Sequence, residues 1–177
     1  MKILALDPAT KCGWAYTDTL WPDRAFQYGC WDLGVSGSEH AGNKLVRLEA
    51  RIEAQFEMLG VNKIALEDAS FGSINAQTAA FHNMLRGVVL LIAARYEVPF
   101  LLYKPSTIKK FATGSGNAKK PQMIRAAKTV LGVDVGDNDN IADALFILEL
   151  AKQDITPLAL AAKQKPKPRK RAEPKLF

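Results

Sequence analysis

Two short apolar runs most constrain the fold of this 177-residue chain. Residues 2–7 read KILALD and residues 63–68 read KIALED, and the two runs close on the carboxylates Asp7 and Glu67. A few apolar residues between polar punctuation suit a buried strand rather than a helix, which needs about ten or more. Strands apolar on both faces have to be covered above and below, and helices elsewhere in the chain must supply that cover. Sites in open α/β sheets form beyond the carboxyl ends of the strands. Asp7 and Glu67 therefore meet there if the two strands are neighbours.

The remaining sequence supplies the layers. Asp7-Pro8 breaks the first strand. GWAYT at 13–17 and FQYGCWDL at 26–33 are aromatic and β-prone, with turn material between them. With residues 2–6 they predict three antiparallel strands. Residues 38–59 carry Leu45, Leu48, Ile52, Phe56 and Leu59 at helical spacing, closed by Gly60. The strand at 63–66 is followed by a predicted helix over about 76–96 and a strand in VPFLLY at 98–103. A short helix opened by Pro105, a GSGN loop, a helix over 120–131 and a last helix over about 140–152 complete the pattern. The expected fold class is α/β, a mixed five-stranded sheet flanked by helices.

Composition is that of a globular chain, 48% hydrophobic and 24% charged. It is long enough for one core domain, expected over 1–156. Residues 157–177 are Lys/Pro-rich and expected to form a flexible basic tail. The apolar start is cut at once by Asp7, and no run approaches membrane-spanning length. Cys12 and Cys30 are spaced neither as a zinc site nor as a disulfide framework, which suits a reducing, cytoplasmic setting. The net charge of +6 comes entirely from the last fifteen residues, where seven Lys/Arg face one Glu. Within the balanced remainder, 98–133 holds seven basic residues and no acid. Such asymmetry fits a polyanion partner or a merely solubilising surface, and charge alone does not separate the two.

The stretch 137–148, DNDNIADALFIL, places Asp143 among Ile141, Ala144, Leu145, Phe146, Ile147 and Leu148. A carboxylate in such surroundings is costly unless paired or coordinated. Asp139, four residues earlier, shares its helix face. Taken singly, Asp137 or Asp139 reads as a helix N-cap, and Asp7-Pro8 as turn chemistry. Taken together, three or four converging carboxylates repel in a partly dry site. The usual remedy is one or two hard divalent cations, Mg²⁺ with Mn²⁺ as substitute. Two such ions, roughly 3.5–4 Å apart, activate a water and stabilise the leaving oxygen of a phosphodiester.

At this point four stretches carry a resemblance. ILALDPATKCGWA, IALEDASFG, KPSTIKKFATGSGNAKKPQM and DNIADALFIL resemble, in order and spacing, the blocks of RuvC-type Holliday junction resolvases, with the phage and prophage branch most similar. The match spans about residues 2–152. It is most specific where P-x-x-x-K, G-x-G-x-A-x-K and D-A-L fall in sequence. The resemblance implies a ribonuclease H-like fold, a homodimer and no small-molecule cofactor. It also implies a divalent-metal-dependent endonuclease that cuts four-way DNA junctions by symmetric phosphodiester hydrolysis.

Carried over by motif, Asp7, Glu67 and Asp143 are implied as metal-holding catalytic acids. Asp139 is taken as the fourth, with Asp137 in reserve, because the family's common three-residue spacing falls on Asn140, a poorer ligand. Lys120 is implied beside the scissile phosphate, with Lys119 able to exchange roles with it. Phe71 is implied as an aromatic that stacks on bases at the junction centre, its alternative being a ring folded onto the core. Lys104, Lys109, Lys110, Lys119, Lys120 and Arg125 complete the expected DNA contacts. Arg86-Gly87 also fits the family and is assigned no chemistry, the glycine being read as an aid to helix packing.

Three rivals remain in view. A sugar-kinase or actin-like ATPase would need a flexible phosphate turn where Pro8 and Ala9 stand, and a second lobe. A non-catalytic DNA-structure binder would have no use for intact Asp7, Glu67 and Asp143. A nuclease of the same fold acting on forks or other branched DNA stays open.

Overall fold

The strand at 2–6 and its twin at 63–66 are the two central partners of the sheet. In the computed structural model, which describes residues 1–20, 27–34, 40–68 and 76–155, β1 (Lys2–Asp7) pairs in parallel with β4 (Lys63–Glu67). β2 (Lys11–Asp18) and β3 (Gln27–Asp32) extend the sheet antiparallel on one side, and β5 (Phe100–Tyr103) extends it parallel on the other. The strand order is β3-β2-β1-β4-β5. Phe71, residue 26, Ser38 and the tail at 157–177 lie outside the described residues.

Why the central strands are apolar throughout is plain from what covers them. Ile3 and Ala5 face one core cluster, Leu4 and Leu6 the other, and all four are fully buried. On the second face lie α1 (Ala41–Leu59) and α2 (Ala76–Arg95), clamped together by Arg95, whose Nη1 donates to Glu49 and Glu53. The first face is covered by α3 (Pro105–Thr113), α4 (Lys120–Leu131) and α5 (Asp139–Asp154). Helix α5 is enclosed between the sheet and the other helices of its layer: Ala142, Ala144, Leu145, Phe146, Ile147, Leu148 and Ala151 are buried. A helix apolar nearly all round requires such a place.

The element boundaries follow local chemistry. Helix α1 begins at Ala41, because His40 is itself extended and its ring accepts the Gly42 N–H at 3.1 Å. Gly60 closes it at φ 63°, a left-handed turn that a side chain would disfavour. The N-cap of α5 is Asn138, which accepts from the Ile141 N–H at 3.2 Å. The alternative reading of Asp137 or Asp139 as that cap is thereby set aside, and the Asp139 carboxylate pairs with Lys120. No described helix is long and apolar enough to cross a membrane.

Candidate active site

Strand register brings the first two acids together. Leu6 lies opposite Leu66 in the parallel β1–β4 pair, so Asp7 and Glu67 end neighbouring strands at the same edge. Asp7 also lies opposite Gly13 on β2. Gly13 is where α5 lands, since a Cβ built there would overlap the Asn140 carbonyl. The bare backbone at 13 thus lets the first turn of α5 rest on the sheet edge, and that turn carries Asp139 and, one turn on, Asp143.

The electrostatics are those of negative charges with too little compensation. Burial, then Glu67, Asp143 and Asp139, hold the Asp7 carboxyl well above its ordinary range, with Lys120 pulling the other way. Burial and Asp143 push Glu67 up to about 7, against Lys109, while Asp68 adds to the rise. Asp143 is pushed up to about 6 by burial and Asp139, opposed by Lys109 and Lys120. Its Oδ1 is buried with no hydrogen-bond partner, an uncommon and expensive state for a carboxylate oxygen.

The four acids do not close into a ligand cage as they stand. Among the described residues, no three His, Cys, Asp or Glu side chains are close enough to hold one ion. Asp139 is turned toward Lys120, whose Nζ is 2.8 Å from Oδ2. The lysine offsets part of the negative charge gathered there. Lys120 is 76% exposed, so this pair is a weak, breakable contact.

A family profile described as Crossover junction endodeoxyribonuclease RuvC matches residues 3–149, which include all four acids. The chain belongs to the RuvC family. Among its relatives, the RuvC of Moorella thermoacetica is 31% identical over 150 residues, covering 83% of this chain and 88% of the relative. That of Desulfitobacterium hafniense is 32% identical over 151 residues, covering 83% and 89%. The fold resembles Thermus thermophilus RuvC in complex with Holliday junction substrate, with a TM-score of 0.65 and 24% identity over 83% of this chain and 90% of that one. The expected ribonuclease H-like sheet is the observed one.

Within this RuvC-family site, the expected DNA-contacting residues divide. Lys104, Lys110, Lys119 and Arg125 are exposed on α3 and α4 or at their N-caps, as backbone contacts require. Lys109 is half-buried, and its charge bears on both Glu67 and Asp143, closer to the acids than a peripheral contact would be. Asp137 is exposed and is not among the charges that perturb Asp7, Glu67 or Asp143, whereas Asp139 is.

Two further residues enter from the opposite layer. His82 and Arg86 on α2 line a small cleft with Asp7, Pro8 and Glu67. Arg86 Nη1 pairs with Asp68 Oδ1 at 2.8 Å. In sequence, Arg86-Gly87 is assigned no chemistry and its glycine is read as an aid to helix packing. In the structure Arg86 lines the cleft with Asp7 and Glu67, and among the described residues a Cβ at Gly87 would meet nothing within 4 Å. The available signal was the four-residue spacing of His82 and Arg86 on the helix that follows an acid-ended strand.

Two outcomes follow from this geometry. Gly13→Ala is expected to destabilise the protein by about 1–3 kcal/mol, the usual cost of overpacking, read as a lower urea midpoint; an unchanged midpoint would show that α5 does not rest on that backbone. The second outcome concerns pH. The folded-state affinities for protons of Asp7, Glu67 and Asp143 are raised, so between about pH 4 and 7 the folded chain binds more protons than the unfolded one. These groups therefore remove stability as pH rises through that window. In chelator, Asp143→Asn should raise the melting temperature at pH 8 by a few degrees, on the scale of about 2–4 °C per kcal/mol, and leave it little changed at pH 4. Equal shifts at both pH values would contradict the charge argument.

Proposed function

We propose that this RuvC-family chain is a divalent-metal-dependent endonuclease that cuts four-way DNA junctions by symmetric phosphodiester hydrolysis, working as a homodimer. The observation that carries the reading is the Asp7, Glu67, Asp143 and Asp139 cluster at one sheet edge, with the Asp143 Oδ1 buried and unpartnered. An all-oxygen, strongly anionic donor set fits Mg²⁺, with Mn²⁺ as substitute, and one or two ions per subunit would satisfy it. When bound, such ions activate a water for attack on the phosphodiester and stabilise the departing oxygen.

The chain's own side chains do the rest. Asp7, Glu67, Asp143 and Asp139 would hold the ions, and the share of protons that Glu67 retains near neutral pH would leave on binding. Lys120 gives up its pair with Asp139 and, being largely exposed, turns to a phosphate oxygen of the strand being cut. Lys109 stays beside Glu67 and Asp143 and limits the local anionic excess. Lys104, Lys110, Lys119 and Arg125 fix the backbone register without reading bases.

A face for the second subunit is present on α2. Ala80, Met84, Gly87, Leu91 and Ala94 are all exposed and fall at heptad-like spacing along the helix, forming an apolar stripe on the side away from the sheet. Met84 and Leu91 are half exposed or more, at 50% and 55%. Symmetric packing of this stripe on its copy gives the two-fold arrangement that paired cuts require. Leu91→Glu is expected to yield a monomer by analytical ultracentrifugation; a variant that stays dimeric would move the interface elsewhere.

Cleavage of a labelled synthetic four-way junction in Mg²⁺, beside a linear duplex and a Y-fork, tests the activity. Paired symmetric nicks on the junction are expected from the unaltered protein. Asp7→Asn and Asp139→Asn should lose them with binding retained, and Asp137→Asn should keep them. Equal cutting of forks would point to a broader branched-DNA nuclease, and binding without cutting in either metal to a structure-specific binder. An Asp137→Asn defect larger than that of Asp139→Asn would overturn the assignment of the fourth acid.

A further inference from the structure

Arg86 approaches the acid cluster from the layer opposite α5. With His82, one turn earlier on α2, it lines the cleft that Asp7, Pro8 and Glu67 share. One edge of its guanidinium is committed, since Nη1 donates to Asp68 Oδ1 at 2.8 Å. Its Nε is buried and has no hydrogen-bond partner, although two other carboxylates line the same cleft. The pair is half-buried, with side-chain exposures of 26% for Arg86 and 32% for Asp68.

Asp68 is the acid immediately after Glu67. It lies just past the end of β4, and its backbone is pinned there by an N–H bond to the Tyr103 carbonyl at 2.8 Å. Two consecutive acids at the mouth of a cation site create an ambiguity, because either carboxylate is a competent ligand for a hard cation. An arginine in a cleft lined by Asp7 and Glu67 creates the opposite hazard, because a guanidinium pairs readily with any carboxylate in reach. The observed ion pair removes both hazards at once.

We propose that Arg86 is a positioning residue, locked to Asp68 so that Glu67 alone of the two adjacent acids serves the metal centre, while Asp68 keeps the Arg86 cation off Asp7 and Glu67. This rests on the divalent-metal reading above. It makes opposite demands on the two partners. Without Asp68, Arg86 competes with the cation for Glu67 and Asp7. Without Arg86, Asp68 is free to swing in as an extra ligand and distort the placement of the ions. Removing both leaves the four-acid site nearly as it was.

Calorimetric titration of Mn²⁺ into the full-length, DNA-free protein reads the first effect, and junction cleavage at saturating Mg²⁺ reads the second. Asp68→Asn should weaken Mn²⁺ binding by about tenfold or more, the usual range for a residue that orients metal ligands. Arg86→Gln should leave Mn²⁺ binding equal or tighter, yet lower cleavage by about tenfold or more at saturating metal. The double variant should recover both, and Arg86→Lys, which keeps the charge, should retain most of each. Two single variants that fall together in both assays, with a double no better than either, would reduce the pair to a structural bridge and overturn the lock. Absence of any change in either single variant would overturn it too. An Asp7→Asn control separates the levels. If it binds Mn²⁺ as well as the unaltered protein does, the metal reading fails and the lock falls with it. If it loses binding while the Arg86 and Asp68 variants do not follow the pattern, the lock alone is wrong.

Discussion

The parallel pairing of β1 with β4 is the contact on which the rest of the site depends. It sets Asp7 and Glu67 side by side at one sheet edge, and the pairing is held by residues buried on both faces. Antiparallel pairing would put the two acids at opposite ends of the sheet. The crossover from β1 to β4 runs through the β2–β3 meander and α1, so the residues between positions 8 and 62 exist, in functional terms, to bring a second acid-ended strand back in register.

The third and fourth acids arrive by helix packing. α5 buries the unbroken apolar run Ala144–Leu148, with Ala142 and Ala151, and therefore has little freedom in where it lies; the core determines its axis. Gly13 then determines how closely its first turn approaches Asp7. Burial that stabilises Leu145, Phe146 and Leu148 carries Asp143 inward at a cost, visible in its raised proton affinity and its unpartnered oxygen. Stability of the helix and the cost of its buried carboxylate have one origin, the apolar packing that carries both inward.

Positive charge surrounds this anionic edge unequally. On the α3–α4 side, Lys120 pairs with Asp139 and the Lys109 charge bears on Glu67 and Asp143, while the lysines around them are exposed and available to a phosphate backbone. On the α2 side, the Arg86 guanidinium is paired with Asp68. One side of the site is thus poised to attract the strand to be cut, and the other is kept electrically quiet. Helix α2 presents Arg86 to the site and the Ala80–Met84–Gly87–Leu91–Ala94 stripe to solvent, so one element borders both the acids and the proposed subunit contact.

Much of this was legible in the chain itself. Apolar runs of strand length ending in carboxylates, an acid inside an apolar stretch of helix, and the glycine and proline punctuation around 105–120 determined the fold class and the element order, and they singled out the four candidate acids. Local rules suffice for these because they depend on neighbours three or four residues away. What needed the tertiary structure was everything set by approach between distant segments. Gly13 matters only because the Asn140 carbonyl lies over it, and Lys109 only because α3 brings it toward Glu67. Asn138 rather than either aspartate caps α5, since the backbone geometry at the helix start decides which side chain reaches the free N–H. Arg86 carries no assigned chemistry in sequence yet lines the acid cleft in space, because α2 brings it to the end of β4, where it pairs with Asp68. Sequence spacing specifies which residues share a face; only the packed layers specify what that face meets.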